Sequence, residues 1–363
     1  MGKLLLVTLL ASGLSGLVAN VANATSDKTN AQQQQQWRAT AERIRTTYDS
    51  NFVRLSRGAQ NHYAVRMYRL TGELYYAQQA ATEVHQITDR LNMYAEHIHD
   101  RDWRLQQSKA MIERIRKTPR GKLRRAVLQD TQDKRFALFL IYQMAKLNEY
   151  GLRHPAHQLF VDYINTVQLY ELLMSSSFIH AYAAQVANYV YWLKELKISD
   201  WTDDLKAAFL RAYPDDQDSK LSKREFNNKL YGLTHIILAD SQYYQHTVSK
   251  QEHAWILDYF EQRQQRIVKH SKEDVQAEVG LCFLLAGLNN HPTLLAMQDA
   301  INNAVDEEKN MVLSVKGSDD LSTGEHRNVL AYALLNWPET LFQGPHLLEH
   351  RQLKGKVPIV YRQ

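Results

Sequence analysis

The side chains best suited to catalysis lie in polar insertions within apolar segments of residues 222–337. Thr234 and His235 interrupt one apolar run. Asp274 and Glu278 are four residues apart, so on a helix their carboxyl groups share one face. Polar groups in such segments cost free energy unless they are paired or serve a function. An imidazole near two carboxyl groups is a set that general acid–base catalysis uses, and we take these four residues as site candidates.

His326 and Arg327 follow Gly324 at the predicted start of another helix. Free backbone N–H groups at a helix N-terminus attract anions, and an arginine side chain adds to this attraction. We predict that residues 326–327 join residues 234–235 and the pair at 274 and 278 around one concave site.

Each candidate also has a structural interpretation. A single histidine on an apolar helix is often a hydrogen-bonded core residue, and this applies to His235. Asp274 in a first turn can simply stabilise the helix dipole. Glu278 lies one turn deeper among apolar residues, where a solvated role is harder to arrange.

A polysaccharide lyase is one chemistry that fits these residue types. It needs a group that neutralises the uronate carboxylate, a base that takes the neighbouring proton and an acid that releases the leaving sugar. Asn227 or Arg327 supplies the first group, and His235 with Tyr243 or Tyr244 supplies the other two.

A glycosidase is the second chemistry, and it needs two opposed carboxyl groups about 5–9.5 Å apart. Asp274 and Glu278 lie on one predicted helix, so they are poorly placed for opposite faces of a sugar. Either of them can instead pair with Asp240 or Glu325.

Zinc binding is another use for His235, Asp274, Glu278 and His326, because imidazole and carboxylate groups are zinc ligands. Their separations in sequence match no standard ligand spacing. We therefore predict no metal site and no cofactor.

Helices must position these groups, because apolar residues recur at intervals of three and four throughout the chain. Strand patterns are nearly absent, apart from an extended segment at residues 357–361. Ser-x-x-Glu patterns at residues 222–225 and 249–252, and Thr-Gly-Glu at 323–325, mark helix starts. About a dozen helices of ~12–22 residues predict an all-α fold of stacked αα-hairpins. The hairpins close into an α/α toroid or continue as an open helical solenoid, and the lack of a recognisable repeat favours the toroid.

Three motifs carry a resemblance to known proteins. Tyr-Gly-Leu-Thr-His at residues 231–235, Asp-Val-x-Ala-Glu-x-Gly at 274–280 and Gly-x-His at 324–326 resemble bacterial α/α-toroid proteins of the six-hairpin and terpenoid-cyclase-like type. The whole chain also resembles an exported family of unknown function. The toroid resemblance implies that six side chains converge at one mouth of the toroid: Thr234, His235, Asp274, Glu278, His326 and Arg327.

The chain departs from two branches of those toroids. It lacks the cysteine and Cys-His zinc ligands of lanthionine-forming toroids, since Cys282 is its only cysteine, and it lacks the Asp-rich motif of terpene cyclases. The resemblance therefore implies a fold and not a reaction. Cys282 lies in an apolar helical run, which predicts a buried and inert thiol.

Residues 1–24 have the form of a secretory signal peptide. Lys3 precedes an apolar run over residues 4–10, and a stretch of small residues ends at Ala24. We predict cleavage near Ala24 and a periplasmic or secreted mature protein. The apolar run is shorter than the ~20 residues that cross a bilayer, so we expect no transmembrane anchor in the mature chain.

The remaining chain divides into three predicted parts. Residues 25–36 are expected to be a flexible, Gln-rich lead-in. Residues 37–343 are expected to form one all-α helical-hairpin domain, and residues 344–363 an extended C-terminal tail.

Basic residues are concentrated in residues 114–125, although the whole chain carries a formal net charge of only +5. We expect this basic segment to be exposed and separate from the site, where it at most recruits anions. Export and the lack of nucleic-acid-binding motifs argue against nucleic acid as a partner. An acidic polysaccharide or another anionic ligand of the cell envelope is the expected partner.

Two function classes follow from the sequence. In the first, the protein is a lyase- or glycosidase-like enzyme that acts on a cell-envelope or environmental polysaccharide. In the second, it is a non-catalytic binding or interaction protein of the periplasm. If Glu278 belongs to a buried polar site, Glu278→Gln should abolish activity or ligand binding and raise stability by relieving a desolvated charge.

Overall fold

The computed structural model describes residues 11–129, 131–355, 357–358 and 361–362, with side chains described from residue 31 to residue 358 within those ranges. Residues 1–10 of the predicted signal peptide lie outside the described residues. The first helix runs from Ala11 to Ser50 and includes the glutamines at residues 32–36.

The all-α prediction is confirmed, because helices account for most of the described chain. The described residues contain seventeen α-helices. In chain order they are α1 (Ala11–Ser50), α2 (Arg57–Thr71), α3 (Leu74–Ala80), α4 (Thr82–His97), α5 (Arg101–Glu113), α6 (Pro119–Gln129), α7 (Gln132–Glu149), α8 (His157–Asn165), α9 (Tyr170–Leu173), α10 (Ser176–Glu195), α11 (Thr202–Ala212), α12 (Lys223–Asp240), α13 (Ala254–Gln262), α14 (Gln264–His270), α15 (Glu273–Leu285), α16 (Pro292–Ala304) and α17 (Leu321–Leu335).

Strands are limited to two short antiparallel pairs in the described residues. β1 (Leu152–Arg153) pairs with β4 (Tyr361–Arg362), which belongs to the segment that the sequence marks as extended. β2 (Val305–Asp306) pairs with β3 (Met311–Val312).

The predicted extended tail also contains two 3-10 turns, Leu347–Glu349 and Arg351–Leu353. Leu347 and Leu353 are buried, so these turns insert an apolar side chain each into the core. Burial of those leucines explains why the tail is not extended throughout.

Helix starts follow local capping chemistry in two of the three predicted places. At α12 the Ser222 side chain accepts from the Glu225 N–H while the Glu225 side chain accepts from the Ser222 N–H, which is the predicted capping box. Helix α17 begins two residues before Thr323, because Asp320 accepts the Thr323 N–H at 2.8 Å and caps it. Residues 249–252 instead form a turn ahead of α13.

Helices distant in sequence pack against each other in a regular succession. α7 contacts α10, α10 contacts α12, α12 contacts α15, and α15 contacts α17. α17 then contacts α1 and α2, so the last helix of the array packs on the first two. An ion pair of 3.5 Å between Arg69 on α2 and Glu149 on α7 links α2 to α7, the helix with which the succession begins. These contacts support the toroid over the open solenoid, and closure around a central cavity stays a prediction.

Two glycines allow the helices of this succession to approach closely. A Cβ atom at Gly232 on α12 would lie 2.3 Å from the Phe209 ring and 2.9 Å from Ala183 Cβ. A Cβ atom at Gly280 on α15 would lie 2.5 Å from Leu334 Cδ1 on α17. Each glycine therefore sets the distance between helices beside the site candidates at 234–235 and 278.

The single cysteine and the membrane-span prediction can be compared with the structure. Cys282 is buried and unpaired, as the sequence predicts. Among the residues that the structure describes, none of the helices combines the length and apolar character that crossing a membrane requires.

Candidate functional site

A fully buried carboxylate, that of Glu278 on α15, lies at the centre of the candidate site. Its Oε2 accepts a hydrogen bond of 2.6 Å from the Thr234 hydroxyl on α12. Its Oε1 lies 3.6 Å from His235 Nε2 and 3.5 Å from His326 Nε2. The structure thus brings together Thr234, His235, Glu278 and His326, which come from three different helices.

Opposing effects determine the ionisation of this carboxylate. Burial favours the neutral acid, but the two imidazoles outweigh burial and lower the pKa of Glu278 to about 2. At His326, burial disfavours the charged ring, yet Glu278 outweighs it and raises the pKa of the imidazole. Glu278 is therefore an anion, and His326 retains its proton to a higher pH than an isolated histidine.

Accessibility differs sharply between the carboxylate and the rings above it. The His326 side chain is 44% exposed and the His235 side chain 14%, whereas the Glu278 side chain is 0% exposed. Glu278 Oε1 has no hydrogen-bond donor at bonding distance and is held between the two rings. A ligand can reach the imidazoles, and the buried charge acts through them.

His235 is fixed by a second set of contacts on its other nitrogen. Its Nδ1 lies 3.0 Å from the Tyr243 hydroxyl and 3.1 Å from Asn188 Oδ1 on α10. The Tyr243 hydroxyl donates to the same Asn188 oxygen at 2.6 Å. These contacts orient the ring so that Nε2 points at Glu278.

Strained backbone presents Tyr243 to His235. Residues 242, 243 and 244 all have positive φ, at 50°, 57° and 75°, and none is a glycine. Such conformations cost on the order of 1–3 kcal/mol each and persist where surrounding contacts impose them. Arg69, fully buried, supplies one such contact by donating to the Tyr243 carbonyl at 3.2 Å and to the Gly344 carbonyl at 2.7 Å.

Asp274 lies one helical turn from Glu278 and has two partners. One carboxylate oxygen accepts the Val275 N–H at 3.1 Å, and the other accepts the Tyr231 hydroxyl. Tyr231 precedes His235 by one turn on α12. Asp274 thus stabilises its own helix and also links α15 to α12 beside the Glu278 carboxylate.

Two candidates make structural contacts away from Glu278. Asn227 donates to the carbonyls of Lys223 and His270, at 2.7 and 3.2 Å, and so joins α12 to the end of α14. Arg327 donates to the Val312 carbonyl at 3.2 Å and holds β3 against α17. Both side chains thus join elements of the fold through backbone carbonyls.

Three residues named as alternatives in the sequence analysis also have other partners. Asp240 pairs with His253 at 2.8 Å. Tyr244 is buried, with its ring 6.0 Å from that of Trp337. Glu325 does reach the site, through a histidine that the sequence analysis missed.

That histidine is His62, on α2. Its Nδ1 lies 2.8 Å from Glu325 Oε1, and its ring centroid lies 5.2 Å from that of His326. The His62 side chain is 27% exposed. The site therefore contains three histidines, one each from α2, α12 and α17.

The pKa of His62 is lowered, whereas that of His326 is raised. Burial, together with the positive charges of Arg66, His326, Lys146 and Arg69, holds the pKa of His62 well below 6.5. Burial also raises the pKa of its partner Glu325 to about 8. The pair is net neutral below that pH, since burial disfavours separated charges.

Arg66, one turn beyond His62 on α2, is a buried arginine that lies near carboxyl groups without forming a close ion pair with them. It is 8% exposed, its Nε is buried without a hydrogen-bond partner, and its guanidinium lies 4.8 Å from the centre of the Tyr243 ring. It forms no ion pair or hydrogen bond in the described part of the chain. A buried cation of this kind is suited to an anionic ligand.

A pattern in the sequence could have identified His62 and Arg66. Residues 62, 66 and 69 are polar or basic and recur at intervals of four and three within a segment that is otherwise largely apolar. On α2 this pattern identifies a polar face that packs toward other inner residues.

The basic segment at residues 114–125 is only partly the exposed surface that the sequence predicts. Arg114, Arg116 and Lys122 are exposed. Arg120 and Arg124 are part-buried, and Arg120 lies 6.0 Å from the centre of the Tyr231 ring beside the site. The amphipathic α6 turns these two arginines inward, so the segment is not separate from the site.

A metal centre is not evident from the geometry. No group of three or more His, Cys, Asp or Glu side chains within the described ranges is arranged to hold a metal ion. The nitrogens of His235 and His326 instead contact Glu278 at ion-pair distances.

Comparison with known proteins gives one match. Residues 37–363 match the family described as a domain of unknown function, DUF3541. No curated protein and no solved structure matches the chain.

Proposed function

We propose, from the premise that this chain belongs to the DUF3541 family, that the protein is an exported enzyme that cleaves an anionic polysaccharide by β-elimination. One observation carries the proposal. Two accessible imidazoles, 5.2 Å apart, have pKa values shifted in opposite directions next to an unpaired arginine. Groups whose environments separate their pKa values are suited to act as base and acid in one reaction.

Arg66 binds the uronate carboxylate in this proposal. Neutralising that carboxylate makes the proton on the adjacent carbon more acidic, because the charge that develops on the carboxylate is stabilised. Arg66 suits this role better than the earlier candidates Asn227 and Arg327, which have backbone partners.

His62 acts as the base. Its lowered pKa keeps the ring neutral, and its bond to Glu325 occupies Nδ1 and leaves Nε2 for the substrate. Nε2 accepts a proton when Nδ1–H donates to an ionised Glu325, so the His62–Glu325 pair must first lose one proton. The carboxylate then orients the ring, as in other carboxylate–histidine pairs.

His326 acts as the acid. Glu278 raises the pKa of this ring and so keeps it protonated, and the side chain is the most exposed of the three histidines. His235, held by Asn188, Tyr243 and Glu278, fixes the carboxylate and offers a further polar contact to the sugar.

His62 takes the proton next to the carboxylate, the electron pair forms a carbon–carbon double bond, and the bond to the leaving oxygen breaks. That oxygen takes the proton of His326.

Export and a toroid cavity form part of the same proposal. The signal-like form of residues 1–24 supports a periplasmic or secreted location, with cleavage near Ala24. The contacts of α17 with α1 and α2 support a ring of helices in which the site lies at an inner wall. Polysaccharides of the cell envelope or the environment are available in that compartment.

The test is a lyase assay on protein purified from the periplasm of an expression host, with its N-terminus sequenced. Polygalacturonate, alginate, hyaluronate and chondroitin are each incubated with it, and the ultraviolet absorbance of the unsaturated uronate product is followed. We expect activity on at least one polymer. His62→Gln, His326→Gln and Arg66→Gln should each lower kcat/KM by about 10²–10⁴-fold.

His99→Gln is the matched control, because His99 is exposed in the turn after α4. It should leave the rate unchanged. Cleavage without the absorbance change would contradict elimination and favour hydrolysis. Binding of a polymer without cleavage would favour the non-catalytic alternative.

A further inference from the structure

Arg124 on α6 lies against the face of α10 that carries part of the site. Its Nη2 donates to Gln185 Oε1 at 2.8 Å, and its Nε donates to the Ala181 carbonyl at 3.1 Å. Gln185 precedes Asn188 by three residues, a rise of about 4.5 Å along the helix. Arg124 is thus about one turn from the group that orients His235.

Arg120 has the same relation to α12. Its guanidinium lies 6.0 Å from the centre of the Tyr231 ring, and Tyr231 precedes His235 by four residues. Four residues rise about 6 Å along a helix. Two arginines of α6 therefore contact residues one turn N-terminal to Asn188 on α10 and to His235 on α12.

Arg135, near the start of α7, completes the group. Its side chain hydrogen-bonds that of Tyr189 and lies close enough to Arg124 for the two charges to repel each other. Arg135 Nε is buried without a hydrogen-bond partner.

These three arginines are not neutralised by the protein. None forms an ion pair with a carboxylate in the part of the chain that the structure describes. Burial and then Arg120 lower the pKa of Arg124 to about 10, which reflects mutual repulsion. Clustered cations without counter-ions cost stability, and an anionic ligand would relieve that cost.

We infer that Arg120, Arg124 and Arg135 form a second anion subsite, which takes the acidic group of the sugar next to the one held by Arg66. The inference rests on the proposed function and specifies its substrate class. The α6 arginines contact α10 and α12 one helical turn from Asn188 and His235, about the length of one sugar ring. The substrate is therefore a polyuronate with an acidic group on every residue, rather than on alternate residues.

Calorimetric titration tests this inference with defined probes. The probes are galacturonate, mannuronate and glucuronate monomers, and tetramers cut from polygalacturonate, alginate and hyaluronate. We expect a tetramer with successive acidic groups to bind more tightly than its monomer and than the hyaluronate tetramer. Arg124→Gln and Arg135→Gln should each weaken that tetramer by about 10–100-fold, the value of one charge-assisted contact, and leave monomer binding unchanged.

Arg116→Gln is the matched control, since Arg116 is exposed in the same basic segment. Arg124→Lys keeps the charge and should restore part of the affinity, which separates loss of the subsite from loss of folding. Unchanged tetramer affinity in folded Arg124→Gln and Arg135→Gln would overturn the subsite alone. Equal binding of the hyaluronate tetramer would also overturn it. If monomer binding survives Arg66→Gln, the proposed function fails instead, and if no tetramer binds the wild-type protein, both fail.

Discussion

At the scale of single residues, the same side chain has opposite properties in two adjacent positions. Both His62 and His326 are partly buried, and burial alone would favour the neutral ring in each. His326 faces Glu278, whereas His62 faces Arg66 and other cations. Burial and these cations keep the His62 ring neutral, whereas Glu278 outweighs burial and keeps the proton on His326.

The pH dependence of the proposed reaction follows from these shifts. We expect kcat/KM to rise toward about pH 8, because the His62–Glu325 pair must lose a proton and burial raises the pKa of Glu325 to about 8. The falling limb belongs to His326, whose raised pKa places it above pH 6.5. In Glu325→Gln the rising limb should move below pH 6.5, because only His62, with its lowered pKa, must then be neutral. Initial rates across a pH series measure both limbs.

His99→Gln should reproduce the wild-type profile. A rising limb that stays near its wild-type position in Glu325→Gln would show that another group is the base.

The pKa shifts of Glu278 and His326 determine whether Glu278→Gln raises or lowers the free energy of unfolding. The folded-state pKa of Glu278, about 2, lies below its ordinary value of 4.5. The stability that the Glu278 charge contributes is therefore complete above pH 4.5 and is lost as the pH falls through about 2. The folded-state pKa of His326 is raised, so the stability that His326 contributes is complete below pH 6.5 and is lost as the pH rises through that folded-state value. Between pH 4.5 and 6.5 we expect Glu278→Gln to lower the free energy of unfolding by about 3 kcal/mol, at ~1.36 kcal/mol for each pKa unit.

Denaturant melts across that range measure this effect, with Glu96→Gln, an exposed change on α4, as the control. The expected sign reverses the gain in stability that the sequence alone suggested. The sequence correctly predicted that Glu278 is buried. It did not reveal that two imidazoles compensate the Glu278 charge, because they come from other helices. A variant that is as stable as the wild type at pH 4.5–6.5 would show that the ion pairs of Glu278 with His235 and His326 do not stabilise the fold.

At the scale of helices, close contacts rather than local propensity hold the site together. Gly232 lies two residues before Thr234, and it lets α12 approach both Phe209 on α11 and Ala183 on α10. The hydrogen bonds between His235 and Asn188 span the same α10–α12 contact. The spacing of those two helices therefore sets the position of the imidazole.

Gly232→Ala should lower the free energy of unfolding by about 1–3 kcal/mol, because the added methyl group overlaps a buried ring and overpacking of a core has this cost. The higher helix propensity of alanine recovers only part of it, roughly 0.5–1 kcal/mol. Thermal or denaturant melts measure the difference. Gly58→Ala on α2 is the matched control, since its methyl group meets nothing within 4 Å, and it should be neutral or stabilising. Equal stability of the two variants would contradict the close-packing account.

At the scale of the whole molecule, the site depends on contacts between the ends of the helical array. His62 and His326 are adjacent because α17 packs on α2. Arg69 ties α2 to α7 and to two loops through Glu149, Tyr243 and Gly344. The acid–base groups thus come from both ends of the chain, so the site forms only when the array is complete.

The sequence by itself determined the secondary structure and part of the site. Apolar spacing of three and four residues predicted helices, because helical geometry places those residues on one face. The Ser222–Glu225 capping box acts within one turn and was readable for the same reason. Polar residues within apolar helices, such as Thr234 and Glu278, had to be paired or functional, and the structure places them in contact.

Only the tertiary structure decided which helices meet and therefore which charges face each other. Helical periodicity specifies the face on which a residue lies but not the helix that covers that face. His62 and Arg66 consequently went unrecognised, Asn227 and Arg327 proved to bond backbone carbonyls, and Arg120 and Arg124 were expected on the exposed surface. The pKa shifts depend on burial and on neighbours a few ångströms away, and in a folded chain those neighbours are distant in sequence.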